Sequence, residues 1–266
     1  MLFRSTWRKQ EVKFGMKTLD DLPDLVDPEK WLDFIKTKFS LNYVKSVSFL
    51  GGEPFESAIP TKFLELLKST HGSLSDVIIH VQTNGSIKPS NEFIALASEC
   101  KQFKFNLSID GVGKVAEYQR KGTNWETVLS NAYKLCEIKS VYPTVHSTVT
   151  SYTVLDMEAL IDFYIEISKS FPKMKFVMHL ANNPTGMSPV CLSDDLRKIA
   201  LIQLNNSLAK ISDNKQFERI RKELTSIVNT LNNEPTKDFD KLVRITKIYD
   251  ALRNENFKDV YGYNIN

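Results

Sequence analysis

Cysteine is scarce in this sequence. The three cysteines, Cys100, Cys136 and Cys191, lie far apart along a chain of 266 residues. No two of them have the short spacing of a metal-binding pair, and an odd number does not complete a disulfide framework. The pattern predicts three packed thiols in a reducing cytoplasm, without a metal site.

Long apolar runs and strong net charge are absent as well. No stretch approaches the roughly 18 consecutive apolar residues of a transmembrane helix, so no membrane partner is predicted. The formal net charge is only +3, and no clustered basic stripe indicates a nucleic-acid interface. The first residues lead straight into polar sequence without a secretory pattern, which favours a cytoplasmic location.

Five apolar or alternating segments are predicted to be β-strands. They are 47–50, 77–83, 103–110, 144–149 and 175–180. Each is separated from the next by about the length of a βαβ unit, which predicts an α/β fold with a parallel sheet curved into part of a barrel. After residue 185 the pattern changes to helices alone.

Apolar residues at helical spacing predict the helices. The first helix is predicted to start at Asp27, with Asp27 as its cap and Pro28 in its first turn. The others are predicted at 57–69, 91–100, 125–138, 155–168, 194–211, 217–231 and 239–253.

Polar or glycine-bearing segments follow most of the predicted strands. They are Gly51–Pro54, Thr83–Gly85, Ser108–Gly111 and Ala181–Pro184. The carboxyl ends of parallel strands share one edge of a sheet, where α/β proteins bind ligands. Two adjacent glycines let a backbone approach closely, and Pro54 ends the first strand, so Glu53 is predicted to be fixed and exposed.

The histidines within or near the predicted strands are interpreted as structural residues. His80 and His146 lie within strands, and His179 lies near a strand end. Such residues are predicted to be packed or hydrogen-bonded rather than to act as ligands.

Taken in order, the strand-end motifs resemble those of the radical S-adenosylmethionine (SAM) enzymes. The matching segments are Gly51–Pro54, Thr83–Gly85, Ser108–Gly111, Glu117–Gly122, the stretch from Trp125 to Asn131, and Leu252–Phe257. Together they are similar to the subgroup related to peptide-modifying members with a twitch or SPASM extension. The resemblance implies a partial (β/α)6-type, TIM-like barrel of parallel strands, missing its first strand, over residues 1–185. A helical C-terminal extension follows over residues 186–266.

The resemblance also implies a binding site for S-adenosyl-L-methionine. Gly51, Gly52 and Glu53, with the adjoining Pro54, match the segment that receives the amino group of the cofactor's methionine. An ammonium group has three N–H donors, which a carboxylate and free backbone carbonyls can satisfy.

Four further residues are implied in the same site. Asn84 and Ser108 match strand-end polar groups near the ribose or the carboxylate of the cofactor. Arg120 matches an arginine that pairs with the cofactor's carboxylate, or else it is a surface arginine paired with Glu117. Asp110 either faces the site or caps the turn that follows it.

The sequence departs from the family at the iron–sulfur cluster. Family members hold a [4Fe-4S] cluster with a Cys-x3-Cys-x2-Cys loop after the first strand, because cluster iron requires thiolate ligands. No such motif occurs in this sequence. Ser5–Trp7 resembles the sequence just downstream of that loop, so an N-terminally truncated sequence is favoured over loss of the cluster.

Three functions remain as hypotheses. The first is a radical SAM enzyme domain, oxidoreductase- or transferase-like when complete, with an unknown small-molecule or peptide substrate. The second is a cluster-less, non-catalytic scaffold or partner protein that binds SAM or another nucleotide. The third is an unrelated partial barrel for a phosphorylated or sugar ligand, with Glu53 or Asp110 as a general base, although no paired acid and base and no glycine-rich phosphate loop are present.

Overall fold

Five parallel β-strands form one sheet in the computed structural model, which describes residues 27–181 and 186–265. They are β1 Ser46–Phe49, β2 Ile78–Thr83, β3 Gln102–Ser108, β4 Val141–Val149 and β5 Lys175–Leu180. The strands lie side by side in the order of the chain. This confirms the predicted α/β class, and a strand order that follows the chain is that of a partial (β/α) barrel.

One described helix precedes β1, and the others lie between the strands and after the last of them. They are α1 Pro28–Lys38, α2 Ile59–His71, α3 Asn91–Glu99, α4 Lys114–Gln119, α5 Trp125–Cys136, α6 Met157–Ser170, α7 Asp194–Lys210, α8 Glu218–Asn233, α9 Phe239–Arg253 and α10 Phe257–Tyr261. Asp27 caps α1 as predicted, because its carboxylate accepts the Glu29 N–H. The helices α4 and α10 were not predicted, since six and five residues are too few to show a helical period.

The chain packs into two compact units. The first contains the described residues up to Leu107 together with Thr127–Pro143, and the second contains Ser108–Glu126 together with the described residues from Thr144 onward. The predicted boundary at residue 185 between a partial barrel and a helical extension stays a prediction.

The Ser5–Trp7 segment and most of Ala181–Pro184 lie outside the described residues. Within residues 27–181 and 186–265, no helix has both the length and the apolar character needed to cross a membrane.

In the first unit, alternate residues of β2 and β3 have opposite environments. Ile79, Val81, Phe103 and Phe105 are buried, and Phe103 packs edge-on against Phe93 of α3 with ring centroids 5.8 Å apart. The side chains between them are mostly polar and are half-buried or exposed. Parallel sheets are ordinarily apolar on both faces, so a polar face on these strands is unusual.

In the second unit, a stack of aromatic rings joins a helix, a strand and the turn that follows α7. Tyr164 of α6 stacks on Phe176 of β5 with centroids 4.3 Å apart, and Phe176 stacks on Phe217 at 5.4 Å. All three rings are buried. Each such pair adds roughly 0.5–1.5 kcal/mol to the contribution of apolar burial, so the stack is a main stabilising element of this unit.

The end of α9 and the residues after it hold α4 in place within the second unit. The Tyr118 hydroxyl donates to Asp250 at 2.8 Å, and Arg253 donates to the Tyr118 carbonyl at 2.7 Å. Lys121 forms an ion pair with Glu255 at 2.6 Å. These contacts fix the last turn of α4 and the residues that follow it.

Candidate functional site

β1 ends one residue earlier than predicted, and the chain turns away at Leu50. Phe49 is buried, whereas Leu50 is 65% exposed, so the predicted extension of the strand to Leu50 was wrong. The reason is the backbone of the next two residues: φ is +82° at Gly51 and +58° at Gly52. Glycine adopts these left-handed torsions without steric cost. We refer to Gly51 and Gly52 as the glycine turn.

The space beside the glycine turn is open. A Cβ added at Gly51 or Gly52 would meet no atom of the described residues within 4 Å. Both residues are exposed, and no described residue donates a hydrogen bond to either carbonyl oxygen. Glycine is therefore required here for the path of the backbone, and no described residue occupies the two carbonyl oxygens.

Glu53 is buried, not exposed as predicted. Only 7% of the residue is exposed, because its carboxylate accepts two hydrogen bonds from the end of β2. The Thr83 hydroxyl donates to Oε1 at 2.6 Å, and the Asn84 N–H donates to Oε2 at 2.9 Å. Burial raises the pKa of the Glu53 carboxyl, and these hydrogen bonds oppose that shift. The side chain thereby ties the glycine turn to the neighbouring strand end.

The Thr83–Gly85 segment is held by its own side chains and by α5. The Thr83 hydroxyl accepts the Gly85 N–H at 2.9 Å, and the Asn84 side chain accepts the Ser86 N–H at 2.8 Å. The buried Asn131 of α5 donates to the Gly85 carbonyl at 2.8 Å. A Cβ at Gly85 would come within 2.9 Å of a leucine methyl on β3, so only glycine fits this close approach. The turn that receives Glu53 is thus rigidly positioned.

In the second unit, Asp110 holds Arg120. Arg120 donates from Nε at 2.9 Å and from Nη2 at 2.6 Å to Oδ2 of Asp110. The other carboxylate oxygen accepts the Thr148 N–H at the end of β4, at 2.7 Å. The Asp110 side chain is 12% exposed and that of Arg120 is 34% exposed. Asp110 therefore fixes one edge of the guanidinium group while other N–H groups of Arg120 reach the surface.

These contacts contradict two of the alternatives that the sequence left open, one for Arg120 and one for Asp110. Glu117 accepts the Trp125 N–H at 2.9 Å, so the interpretation of Arg120 as the partner of Glu117 was wrong. The Asp110 carboxylate bonds to Arg120 and to the end of β4, so it does not cap the turn that follows it. In both cases the side chain bonds to a residue from another part of the fold and not to its neighbours in sequence.

The predicted site residues fall into two sets, one in each unit. The first set contains Gly51–Pro54 and Asn84, with Glu53 bonded to Asn84 and Pro54 buried at the start of a 3-10 turn. The second contains Asp110 and Arg120, together with Ser108, which is half-buried at the end of β3. The cofactor-binding roles of all these residues stay predictions.

The described cysteines do not fit an iron–sulfur cluster. All three are buried, which confirms that they are packed thiols. Burial raises the pKa of Cys100 and of Cys136 to about 12, which disfavours the thiolate that binds iron. Among residues 27–181 and 186–265, no three His, Cys, Asp or Glu side chains lie where they could hold a metal ion.

Two buried polar groups of the second unit were not predicted. Oδ2 of Asp156 is buried and has no hydrogen-bond partner among the described residues, and the hydroxyl of Tyr261 is also buried. Burial raises the pKa of Asp156 to about 6, and a hydrogen bond from the Val112 N–H partly opposes this shift. Burial is the largest cause that raises the pKa of the Tyr261 hydroxyl, and the negative charge of Asp156 raises it further. No local motif marks either residue, because they are far apart in sequence.

Comparisons with known proteins give structural similarity only. No protein-family model and no curated protein matches the chain. It is similar to the solved structure "Native anSMEcpe with bound AdoMet", with 19% identity and a TM-score of 0.46, over 88% of this chain and 58% of that chain. It is also similar to "Native anSMEcpe with bound AdoMet and Cp18Cys peptide", with 18% identity and a TM-score of 0.45, over 88% and 59%. A third structure, a histidine-tagged anSMEcpe with bound AdoMet, has 20% identity and a TM-score of 0.45, over 66% and 50%.

The chain spans between 50% and 59% of the length of these three structures. Likeness at this level assigns neither a function nor a ligand to this chain.

Proposed function

We propose that the first unit binds S-adenosylmethionine at the glycine turn, as a domain of the radical SAM type. The observation that carries the proposal is the exposed, left-handed backbone of Gly51 and Gly52, with open space beside it and carbonyl oxygens that accept no bond from a described residue. The order of the motifs supports it, since Gly51–Pro54 and Thr83–Gly85 follow successive parallel strands as in the radical SAM pattern.

The carbonyl oxygens of the glycine turn, rather than the Glu53 carboxylate, are the proposed acceptors for the ammonium group of SAM. An ammonium group needs acceptors for three N–H donors. The Glu53 carboxylate is buried and already accepts hydrogen bonds from Thr83 and Asn84. We therefore assign Glu53 a positioning role: it fixes the glycine turn, and its negative charge favours a cation nearby.

We assign no radical step to this chain. The [4Fe-4S] cluster of the family supplies the electron for that chemistry and needs thiolate ligands, which the described cysteines do not provide. The second candidate is a SAM-binding scaffold or partner protein without a cluster; both it and an N-terminally truncated radical SAM domain would lack a Cys-x3-Cys-x2-Cys motif, as this sequence does. The substrate, the twitch or SPASM subgroup and the cytoplasmic location rest on the sequence alone.

Gly52→Ala is expected to weaken SAM binding by about tenfold, because its methyl group would occupy the space through which the ligand approaches the carbonyl oxygens. The matched control is Gly72→Ala at the end of α2. Gly72 has a φ of +75° and equally open surroundings. Both variants should lose about 1 kcal/mol of folding stability, since each forces alanine into a left-handed conformation. Calorimetric titration with SAM measures the affinity, and urea denaturation measures the stability.

Only Gly52→Ala should lose affinity. Equal affinities in the two variants would remove the glycine turn from the site. Failure of the wild-type chain to bind SAM at millimolar concentration would remove the proposed function altogether.

Anaerobic reconstitution of the wild-type chain with iron and sulfide is expected to give no cluster absorption, while SAM binding is unchanged by the treatment. The reason is that buried thiols with raised pKa values are poor iron ligands. Iron and sulfide analysis, with an absorption spectrum, measures the outcome. A stoichiometric cluster would contradict the scaffold hypothesis and restore the enzyme hypothesis.

A further inference from the structure

The sheet of the first unit presents a polar face. It consists of Ser48 of β1, His80 and Gln82 of β2, and Lys104 and Asn106 of β3, and we refer to these five residues as the polar sheet face. The strand register places Ser48 beside His80, His80 beside Lys104, and Gln82 beside Asn106. All five are half-buried or exposed. Since neighbouring strands are about 4.8 Å apart, these side chains form one continuous patch.

Lys104 is a cation for which the described residues of this face supply no counter-charge. Neither Lys104 nor any other side chain of the polar sheet face forms a hydrogen bond or ion pair with a described residue. β1, β2 and β3 contain no aspartate or glutamate. The residue is half-buried, and its positive charge faces no acidic side chain of these three strands, so this patch is electrostatically complementary to an anion.

Of the two expectations for His80, packing or hydrogen bonding, a hydrogen bond to a described residue is not found. His80 is half-buried and makes no hydrogen bond with a described residue. Burial, and then the charge of Lys104, lowers the pKa of its imidazole. A neutral imidazole carries one N–H donor and one acceptor. His80 can therefore hydrogen-bond to an anion held by Lys104 and can gain a proton when the anion binds.

We propose that the polar sheet face binds the anionic group, a carboxylate or a phosphate, of a small-molecule ligand. Lys104 supplies the charge, and His80, Gln82 and Asn106 supply hydrogen bonds. The identification of that ligand as the substrate of a SAM-binding domain rests on the proposed function, whereas the binding of the anion does not. His80 lies three residues before Thr83, about 10 Å along the strand, so the anion and the ammonium group of SAM occupy different parts of the unit.

The test follows the imidazole signal of His80 by NMR. The chain has four histidines, so replacing each in turn by glutamine assigns the signals. Inorganic phosphate and acetate are titrated separately into the wild-type chain at constant ionic strength. A saturable shift of the His80 signal and a rise in the pKa of His80 are expected, because a bound anion stabilises the imidazolium.

Lysine variants test the role of the charge. Lys104→Gln is expected to weaken anion binding by about tenfold, the effect of losing one charge-assisted hydrogen bond, and Lys104→Arg should retain most of it. Lys101→Gln is the matched control, since Lys101 is an exposed lysine just before β3 and its replacement removes the same charge. It should change the affinity by less than about twofold, because the effect of a solvent-exposed charge is screened.

Each outcome has a definite meaning. A response to phosphate alone indicates a phosphorylated ligand, and a response to acetate indicates a carboxylate. No saturable shift of His80 with either probe, or equal losses in Lys104→Gln and Lys101→Gln, overturns the proposal. The Gly52→Ala variant should keep the anion response while it loses SAM affinity. Anion binding without SAM binding in the wild type would therefore reject the proposed function and leave the anion site standing.

Discussion

Replacement of Glu53 by alanine is expected to lower the free energy of unfolding by about 3 kcal/mol. The change leaves the Thr83 hydroxyl and the Asn84 N–H without acceptors in a buried place, at roughly 1–3 kcal/mol for each group. It also leaves a small cavity. Glu53→Gln should lose only about 1 kcal/mol, because the amide keeps one acceptor oxygen. Urea denaturation, read as a lower midpoint at unchanged slope, measures both changes.

Glu56→Ala is the matched control for Glu53→Ala. Glu56 lies at the end of the 3-10 turn Pro54–Glu56 and is exposed. A surface change of this kind is expected to alter stability by less than about 0.5 kcal/mol. If Glu53→Ala were no less stable than Glu56→Ala, the Glu53 carboxylate would not be the link between the glycine turn and β2.

Replacement of Asp156 by asparagine is expected to stabilise the chain by about 2 kcal/mol at neutral pH and to have little effect near pH 4. Burial raises the pKa of Asp156 to about 6 in the folded chain, above its ordinary value of 3.8. The wild type therefore has its full stability below the ordinary pKa and loses stability as the pH rises through about 6, since a buried carboxyl must ionise. The full pKa shift of Asp156 corresponds to somewhat more than about 2 kcal/mol, and solvent screening reduces its effect on stability. Asparagine keeps an acceptor for the Val112 N–H and cannot ionise.

Urea denaturation of the wild type and of Asp156→Asn from about pH 4 to about pH 8 measures this difference. Asp213→Asn, at an exposed aspartate after α7, should give a pH profile parallel to that of the wild type. Tyr261→Phe should also keep the pH dependence, because it removes the hydroxyl near Asp156 but not the carboxyl. Parallel profiles for the wild type and Asp156→Asn would show that Asp156 ionises at its ordinary pKa.

The fold was predictable where the periodicity of the sequence is strong. The alternation from Phe103 to Asp110 predicted a strand; the observed strand is Gln102–Ser108, and its buried phenylalanines are those that the pattern selects. Asp27 and Pro28 predicted the start of α1 to the residue. The error at Leu50 arose because an apolar residue before a glycine pair reads as part of the strand, whereas backbone torsions end the strand there.

The location of the candidate site residues at strand ends was predictable from the sequence, but their contacts were not. Gly51–Pro54 and Thr83–Gly85 were expected at strand ends and are found there. The burial of Glu53 depends on a hydrogen bond to a residue 30 positions away, which no local pattern reveals. The alternative that paired Arg120 with Glu117, three residues away, was wrong for the same reason, because the fold supplies Asp110 as its partner.

The link between α9 and α4 has a consequence for the order in which the molecule is assembled. Tyr118 and Lys121 meet Asp250, Arg253 and Glu255 across separations of 132 to 135 residues. Contacts at such separations close large loops, and a ribosome must release the chain through Glu255 before all of them can exist. The guanidinium group of Arg120, which lies between Tyr118 and Lys121 in sequence, therefore gains its final setting only after α9 and the residues that follow it have been synthesised.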